Sequence, residues 1–92
     1  MLMPTKHLLI KGKVQGVFFR ASARDAAEKL GLTGWVRNTA EGDVEAKVTG
    51  TAEGLQKFVA WCHEGPSRAN VTRVEVTDVA EEDFDGFAII RG

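Results

Sequence analysis

The sequence predicts an α+β sandwich, with two helices on one face of a mainly antiparallel sheet of four to five strands. Three observations predict it. Two segments, Phe19 to Leu30 and Leu55 to Cys62, carry apolar residues at helical spacing. Several short segments alternate apolar and polar residues, as strands with one buried face do. The order of the segments is strand, helix, strand, strand, helix, strand, with a short extra strand after them.

The bulk properties are consistent with this. With 92 residues the chain has the size of one domain, 1–92, and can bury a modest core without disulfides or metal. A hydrophobic content of 43% and a charged content of 27% fit a folded globular chain rather than a disordered one. The formal net charge of -1 gives no bulk attraction for nucleic acid, so any anion site has to be local. Cys62 is the sole cysteine, which excludes an internal disulfide and a cysteine-based zinc cluster. No apolar run reaches membrane-spanning length. The start, Met1 to Lys6, lacks the basic-then-apolar layout of a signal peptide. The expectation is a cytoplasmic protein with no membrane partner.

The first strand is predicted over His7 to Val14. Leu8, Ile10 and Val14 share one parity with Gly12, while His7, Leu9, Lys11 and Lys13 share the other. His7 reads as a polar residue at or near the surface. A helix is predicted from Phe19 to Leu30, with Phe19, Ala23, Ala26, Ala27 and Leu30 on one stripe and Gly31 as the C-terminal stop. Its alanines let it lie close on a sheet. The second strand, Gly34 to Thr39, leads through the turn Ala40 to Asp43, where Gly42 can take positive φ. Val44, Ala46 and Val48 then alternate with Glu45, Lys47 and Thr49, completing a hairpin.

Thr51 is placed to cap the second helix, with Glu53 in its first turn. Leu55, Phe58, Val59 and Cys62 form its apolar stripe, Trp61 lies off it, and Gly65-Pro66 ends it. Cys62 reads as a small core residue and His63 as a tolerated cation near the helix end. After a polar connection, Val71 to Val79 is a strand with Val74 and Val76 on one face. An acidic loop from Ala80 to Asp85 contains Phe84. A last strand, Gly86 to Arg91, has Phe87 and Ile89 on one parity. The order is the split βαβ, or ferredoxin-like βαββαβ, arrangement.

Gly12 to Arg20 is the stretch that carries chemistry. A glycine-bearing loop feeding a helix N-terminus is an anion site, because backbone N–H groups and the helix dipole point there. Arginine adds a planar fork of donors suited to phosphate or carboxylate. The helix start is charged the wrong way for stability. Arg20 and Arg24 lie four apart at the positive end of the dipole, and no acid appears before Asp25. Arg24 is expected to pair with Glu28, which leaves Arg20 for a ligand. In the predicted topology the first and second strands run in the same direction, so Arg20 and Asn38 can meet at one sheet edge. The nucleotide-binding glycine motifs and any Cys-x-x-Cys pair are absent, and the first and third strands lack the aromatics of an RNA-stacking sheet.

The residues carry a resemblance as well. Gly12-x-Val14-Gln15-Gly16-Val17-x-Phe19-Arg20 is similar to the signature of the acylphosphatase family (acylphosphate phosphohydrolases). Gly34-Trp35-Val36-Arg37-Asn38-Thr39, followed by Gly42 and a valine-rich strand, resembles its second motif, and the likeness extends through the Trp61 helix, Gly65-Pro66-Ser67 and Phe87-x-Ile89. The resemblance implies hydrolysis of acyl phosphates to a carboxylate and inorganic phosphate, without metal or cofactor. It implies that Arg20 and the backbone of Gln15, Gly16, Val17, Phe18 and Phe19 hold the phosphate, and that Asn38 orients the attacking water. Gly12 and Thr39 take supporting roles. The expected partners are a small acyl phosphate and inorganic phosphate, the latter as product and competitive inhibitor, with the protein a monomer. The lone Cys62 cannot form the intramolecular disulfide of a few bacterial relatives, and the resemblance leaves open a contact of the terminal carboxylate with Arg20.

Taken singly, these residues have plainer readings. Gly12 and Gly16 can mark a bulge and a turn, and Asn38 before a turn is a common turn residue. Two other functions compete. One is a binding module that kept the phosphate cradle, as in larger carbamoyl-phosphate-handling proteins; the presence of both Arg20 and Asn38 argues against it. The other is nucleic-acid binding through Lys11, Lys13 and Arg20, against which the acidic C-terminal loop argues.

Overall fold

The computed structural model describes residues 3–91. Its elements are β1 (Thr5–Lys13), α1 (Phe19–Lys29), β2 (Thr33–Asn38), β3 (Val44–Thr49), α2 (Ala52–Glu64), β4 (Asn70–Val79) and β5 (Phe87–Ile90). The predicted order holds, and the ends move by one or two residues. β2 stops at Asn38 rather than Thr39, because the Thr39 N–H turns to donate to the Asp43 carbonyl at 2.9 Å.

The five strands lie in the order β4-β1-β3-β2-β5. β1 pairs antiparallel with β3 and β4, β2 pairs antiparallel with β3, and β5 runs parallel to β2. The α+β prediction therefore stands, two helices on a mainly antiparallel sheet. The predicted parities decide what is buried. Leu8 and Ile10 of β1, Val36 of β2 and Val44, Ala46 and Val48 of β3 meet Ala23 and Ala27 of α1 and Leu55, Phe58 and Cys62 of α2 in one core. Burial of this kind contributes about 1.5–3 kcal/mol for each large apolar side chain. Cys62 is fully buried, and that burial pushes its thiol well above the usual range, so it behaves as a core residue. Val74 and Val76 share a face as expected, opposite Ile10 and Leu8 of β1, but Val76 is the less covered of the two. It sits 41% exposed on the edge strand, at a groove beside Val59 of α2.

α2 starts as its sequence dictates. The Thr51 hydroxyl accepts from the Gly54 N–H at 3.0 Å, and Glu53 occupies the first turn. On α1 the expected Arg24–Glu28 ion pair does not form among the described residues. Arginine placed four residues before glutamate is the weaker orientation of such a pair. The acidic connection to β5 is stitched down instead. Glu82 donates its N–H to the Thr5 hydroxyl at 3.0 Å and accepts at its carbonyl from the Thr49 hydroxyl at 2.7 Å, satisfying two buried threonines.

Gly12 lies in the sheet, against β4. The β1–β4 register shifts between Lys11 and Gly12, which leaves Thr72 as an extra residue on β4. A Cβ on Gly12 would stand 2.2 Å from the Asn70 carbonyl oxygen, so the close approach this glycine permits is that of a neighbouring strand. Among the described residues, no helix is long and apolar enough to cross a membrane.

Phe58 is fully buried between Trp61 and Phe87. Truncation in Phe58→Ala is expected to destabilise the fold by about 3–5 kcal/mol. Urea unfolding checks it; an unchanged midpoint would contradict the packing described.

Candidate active site

β1, β2 and β5 run in the same direction, so their carboxyl ends reach one edge of the sheet. A cleft of about 350 Å³ opens there, lined by Val14, Gly16, Phe18, Phe19, Arg20, Asn38, Ile89 and Arg91, among others. The loop from β1 to α1 forms one wall. Val14 and Val17 are buried, plugging the loop into the core at two points. Between and after them, Gly16 takes φ 74° and Phe18 φ 64°, the latter the only non-glycine with positive φ among the described residues. Alternation of hand along a short backbone turns N–H groups toward a common centre, the geometry of an anion nest. Phe18 holds this conformation at a cost on the order of 1–3 kcal/mol, and the residue is 75% exposed at the cleft.

α1 begins at this point without help. Phe18 is the N-cap residue, no side chain caps the helix, and its first turn has no acid. The first N–H to close on a carbonyl is that of Ser22, onto Phe18 at 3.1 Å, so the N–H groups of Phe19, Arg20 and Ala21 precede the helical ladder. The helix start is fixed by its apolar side. Phe19 is buried, meets Trp61 edge-on at a centroid distance of 5.3 Å, and packs against Gly65, where a Cβ would come within 2.8 Å of its ring. Trp61, off the helical stripe in sequence, thus braces the residue beside Arg20. Arg20 is half-buried, lines the cleft and makes no ion pair among the described residues; Gly92 and its carboxylate lie outside them.

Asn38 closes the opposite wall at the end of β2, opposite Val44. Its Oδ1 is buried and has no hydrogen-bond partner among the described residues. Leaving a buried acceptor unmet costs roughly 1–3 kcal/mol, so this amide suits a polar visitor. Thr39 lies in the hairpin turn, where its hydroxyl accepts from the Asp43 N–H at 3.1 Å and its carbonyl from the Gly42 N–H at 3.2 Å. The Gln15 side chain reaches the same turn. Its Nε2 donates to the Thr39 carbonyl at 2.9 Å and to the Asp43 carbonyl at 2.8 Å.

The structure thus brings Gly16, Phe18, Phe19, Arg20 and Asn38 to one cleft. The side chains of Gln15 and Val17 point elsewhere, and Gly12 stays in the sheet. Ile89 and Arg91 are cleft residues that the sequence reading did not reach. They reach it because the final strand is parallel to β2 and its end shares the same edge. Among the described residues, no group of three His, Cys, Asp or Glu side chains is placed to hold a metal ion.

Residues 6–89 match the family model described as Acylphosphatase. The chain belongs to the acylphosphatase family. It is 52% identical over 80 residues to an acylphosphatase of Azoarcus sp. (strain BH72), covering 87% of this chain and 82% of the relative. The solved acylphosphatase of Coxiella burnetii superposes with a TM-score of 0.93 at 40% identity, over 97% of this chain and 94% of that one. The crystal structure of the Bacillus subtilis acylphosphatase gives 0.94 at 34% identity, over 97% and 100%. The family assignment fits a cleft whose one wall is the glycine-bearing loop and whose other wall is the asparagine strand.

A charged network on the sheet holds β2 just before Asn38. Glu45 takes hydrogen bonds from Arg37 and from His7, the latter at 2.6 Å. Burial raises the Glu45 carboxyl, but the hydrogen bonds and charges of His7 and Arg37 outweigh it, leaving it below the ordinary carboxylate value. A carboxyl with a lowered folded-state pKa stabilises the fold above its unfolded value and loses that contribution as the pH falls through the folded one. The contribution of Glu45 should therefore be whole above about pH 4.5 and decline below it. Urea midpoints measured across acidic pH should fall less steeply in Glu45→Gln than in the wild type; equal slopes would rule the network out as a source of acid sensitivity.

Proposed function

We propose that this chain hydrolyses acyl phosphates, with phosphate held by Arg20 and the backbone from Gln15 to Phe19, and water oriented by Asn38. One observation carries the reading: Arg20, the uncapped start of α1 and Asn38, whose amide oxygen is buried and unmet, line a single cleft. In the proposed reaction the water oxygen bonds to phosphorus and the bond from phosphorus to the acyl oxygen breaks. The carboxylate leaves, and the water proton passes to a phosphate oxygen. A carboxylate is a good leaving group, so no strong acid has to be supplied. What the transfer asks of the protein is position and charge stabilisation.

Arg20 supplies a planar charged fork, and the helix N-terminus supplies N–H donors and the positive end of the dipole. Asn38 accepts from the water through its amide oxygen, which aims a lone pair of that water at phosphorus. Thr39 supports Asn38 by closing the turn that follows it. The exposed ring of Phe18 and the side chain of Ile89 offer an apolar flank for the acyl group. Hydrolysis here needs no metal or cofactor, inorganic phosphate is product and competitive inhibitor, and the protein acts as a cytoplasmic monomer.

Arg20→Ala should lose phosphate inhibition and lower kcat/KM by about 10³-fold or more, given what a charge-stabilising arginine contributes to phosphoryl transfer. Full turnover of a small aroyl phosphate by that variant would end the reading. Asn38→Ala should lower kcat while inorganic phosphate still inhibits, because the water rather than the phosphoryl group loses its partner. Both assays are run with and without chelator, and loss of wild-type activity in chelator would overturn the metal-free mechanism.

A further inference from the structure

We infer that the side chain of Gln15 is a positioning residue for this reaction, clamping the phosphate cradle to the hairpin that carries Asn38. The inference rests on the proposed hydrolysis and deepens it. The two donors of one amide are both committed, to the Thr39 carbonyl at 2.9 Å and the Asp43 carbonyl at 2.8 Å. Because both acceptors are carbonyl oxygens, the orientation of the amide is fixed. Turned over, it would set its own oxygen against two others.

The grip falls at a particular level of the hairpin. Thr39 follows Asn38, and Asp43 precedes Val44, the residue that faces Asn38 across the strands. Lys11 adds a second tie from β1 to the same turn, with Nζ 3.0 Å from Asp43 Oδ2. The hairpin does not need Gln15 in order to close. Thr39 N–H to Asp43 O at 2.9 Å, Gly42 N–H to Thr39 O at 3.2 Å and Asp43 N–H to the Thr39 hydroxyl at 3.1 Å already close it. What the Gln15 amide adds is the relative placement of two walls. One wall holds the phosphoryl group and the other aims the water, and an in-line attack depends on the offset between them.

Gln15→Met keeps the length of the side chain and removes both donors. Its kcat on an aroyl phosphate should fall roughly 10- to 100-fold, the scale of a small misplacement of reacting groups, while KM and inhibition by inorganic phosphate change far less. Gln15→Glu sets a carboxylate against two carbonyl oxygens. Its kcat, relative to the wild type, should be lowest at neutral pH and recover as acid protonates the carboxyl and restores one donor. Lost packing would give no such recovery. Amide hydrogen exchange on the free proteins gives a readout independent of turnover. Thr39 and Gly42 should exchange faster in Gln15→Met while Leu8 and Ile10 of β1 keep their protection. A wild-type protein inactive on acyl phosphates would sink the proposed function, and the exchange data would still decide the clamp. Unchanged kcat in Gln15→Met, parallel loss of kcat and phosphate affinity, or unchanged exchange at Thr39 and Gly42 would overturn it.

Discussion

The direction in which the strands run is the constraint on which the rest of the molecule depends. α1 carries the chain back after β1, so β1 and β2 point the same way, and β5 joins β2 in parallel. Three strand ends that are distant in sequence therefore come out at one edge. The loop after β1 delivers Arg20, the end of β2 delivers Asn38, and the end of β5 delivers Ile89 and Arg91. None of this requires a special side chain. It follows from a core in which alternating residues of three strands meet two helices, and the cleft lies where that core stops.

The two helices of this chain make a useful contrast. α2 opens with a hydroxyl cap and an acid in its first turn, as stability favours. α1 opens with a left-handed aromatic residue, no cap and an arginine. The same chain thus shows how a helix start is built for stability and how one departs from it. Local rules are broken where the cleft lies, the pattern expected where function and stability compete.

Most of the fold was legible because one-sided burial writes its period into the sequence. Leu8 and Ile10, then Val44, Ala46 and Val48, alternate for the same reason that they are buried. Arg20 and Asn38 were legible from topology, and the family motifs gave them roles. What escaped has a common cause. Gln15 reaches Thr39 and Asp43, 24 and 28 residues away, and no local spacing encodes such a bond. The bulge at Gly12 was open as a reading, but the strand that crowds it lies much later in the chain. Ile89 and Arg91 needed the parallel pairing of β5, which a short apolar run cannot announce. Trp61 fell off its stripe because it is shared between Phe58 on its own helix and Phe19 on the other.

That last contact has a consequence for how the molecule comes into being. The loop backbone that walls the cleft belongs to the first quarter of the chain, but the peg that fixes it, Phe19, is seated against Trp61 and Gly65 from beyond the midpoint. Bringing those segments together is a long-range closure, formed only as the whole sandwich condenses. An isolated N-terminal segment would hold the motif without its shape. On the proposed function, capture of a phosphate ion and completion of tertiary structure would be linked equilibria, with the ligand stabilising the finished fold by mass action.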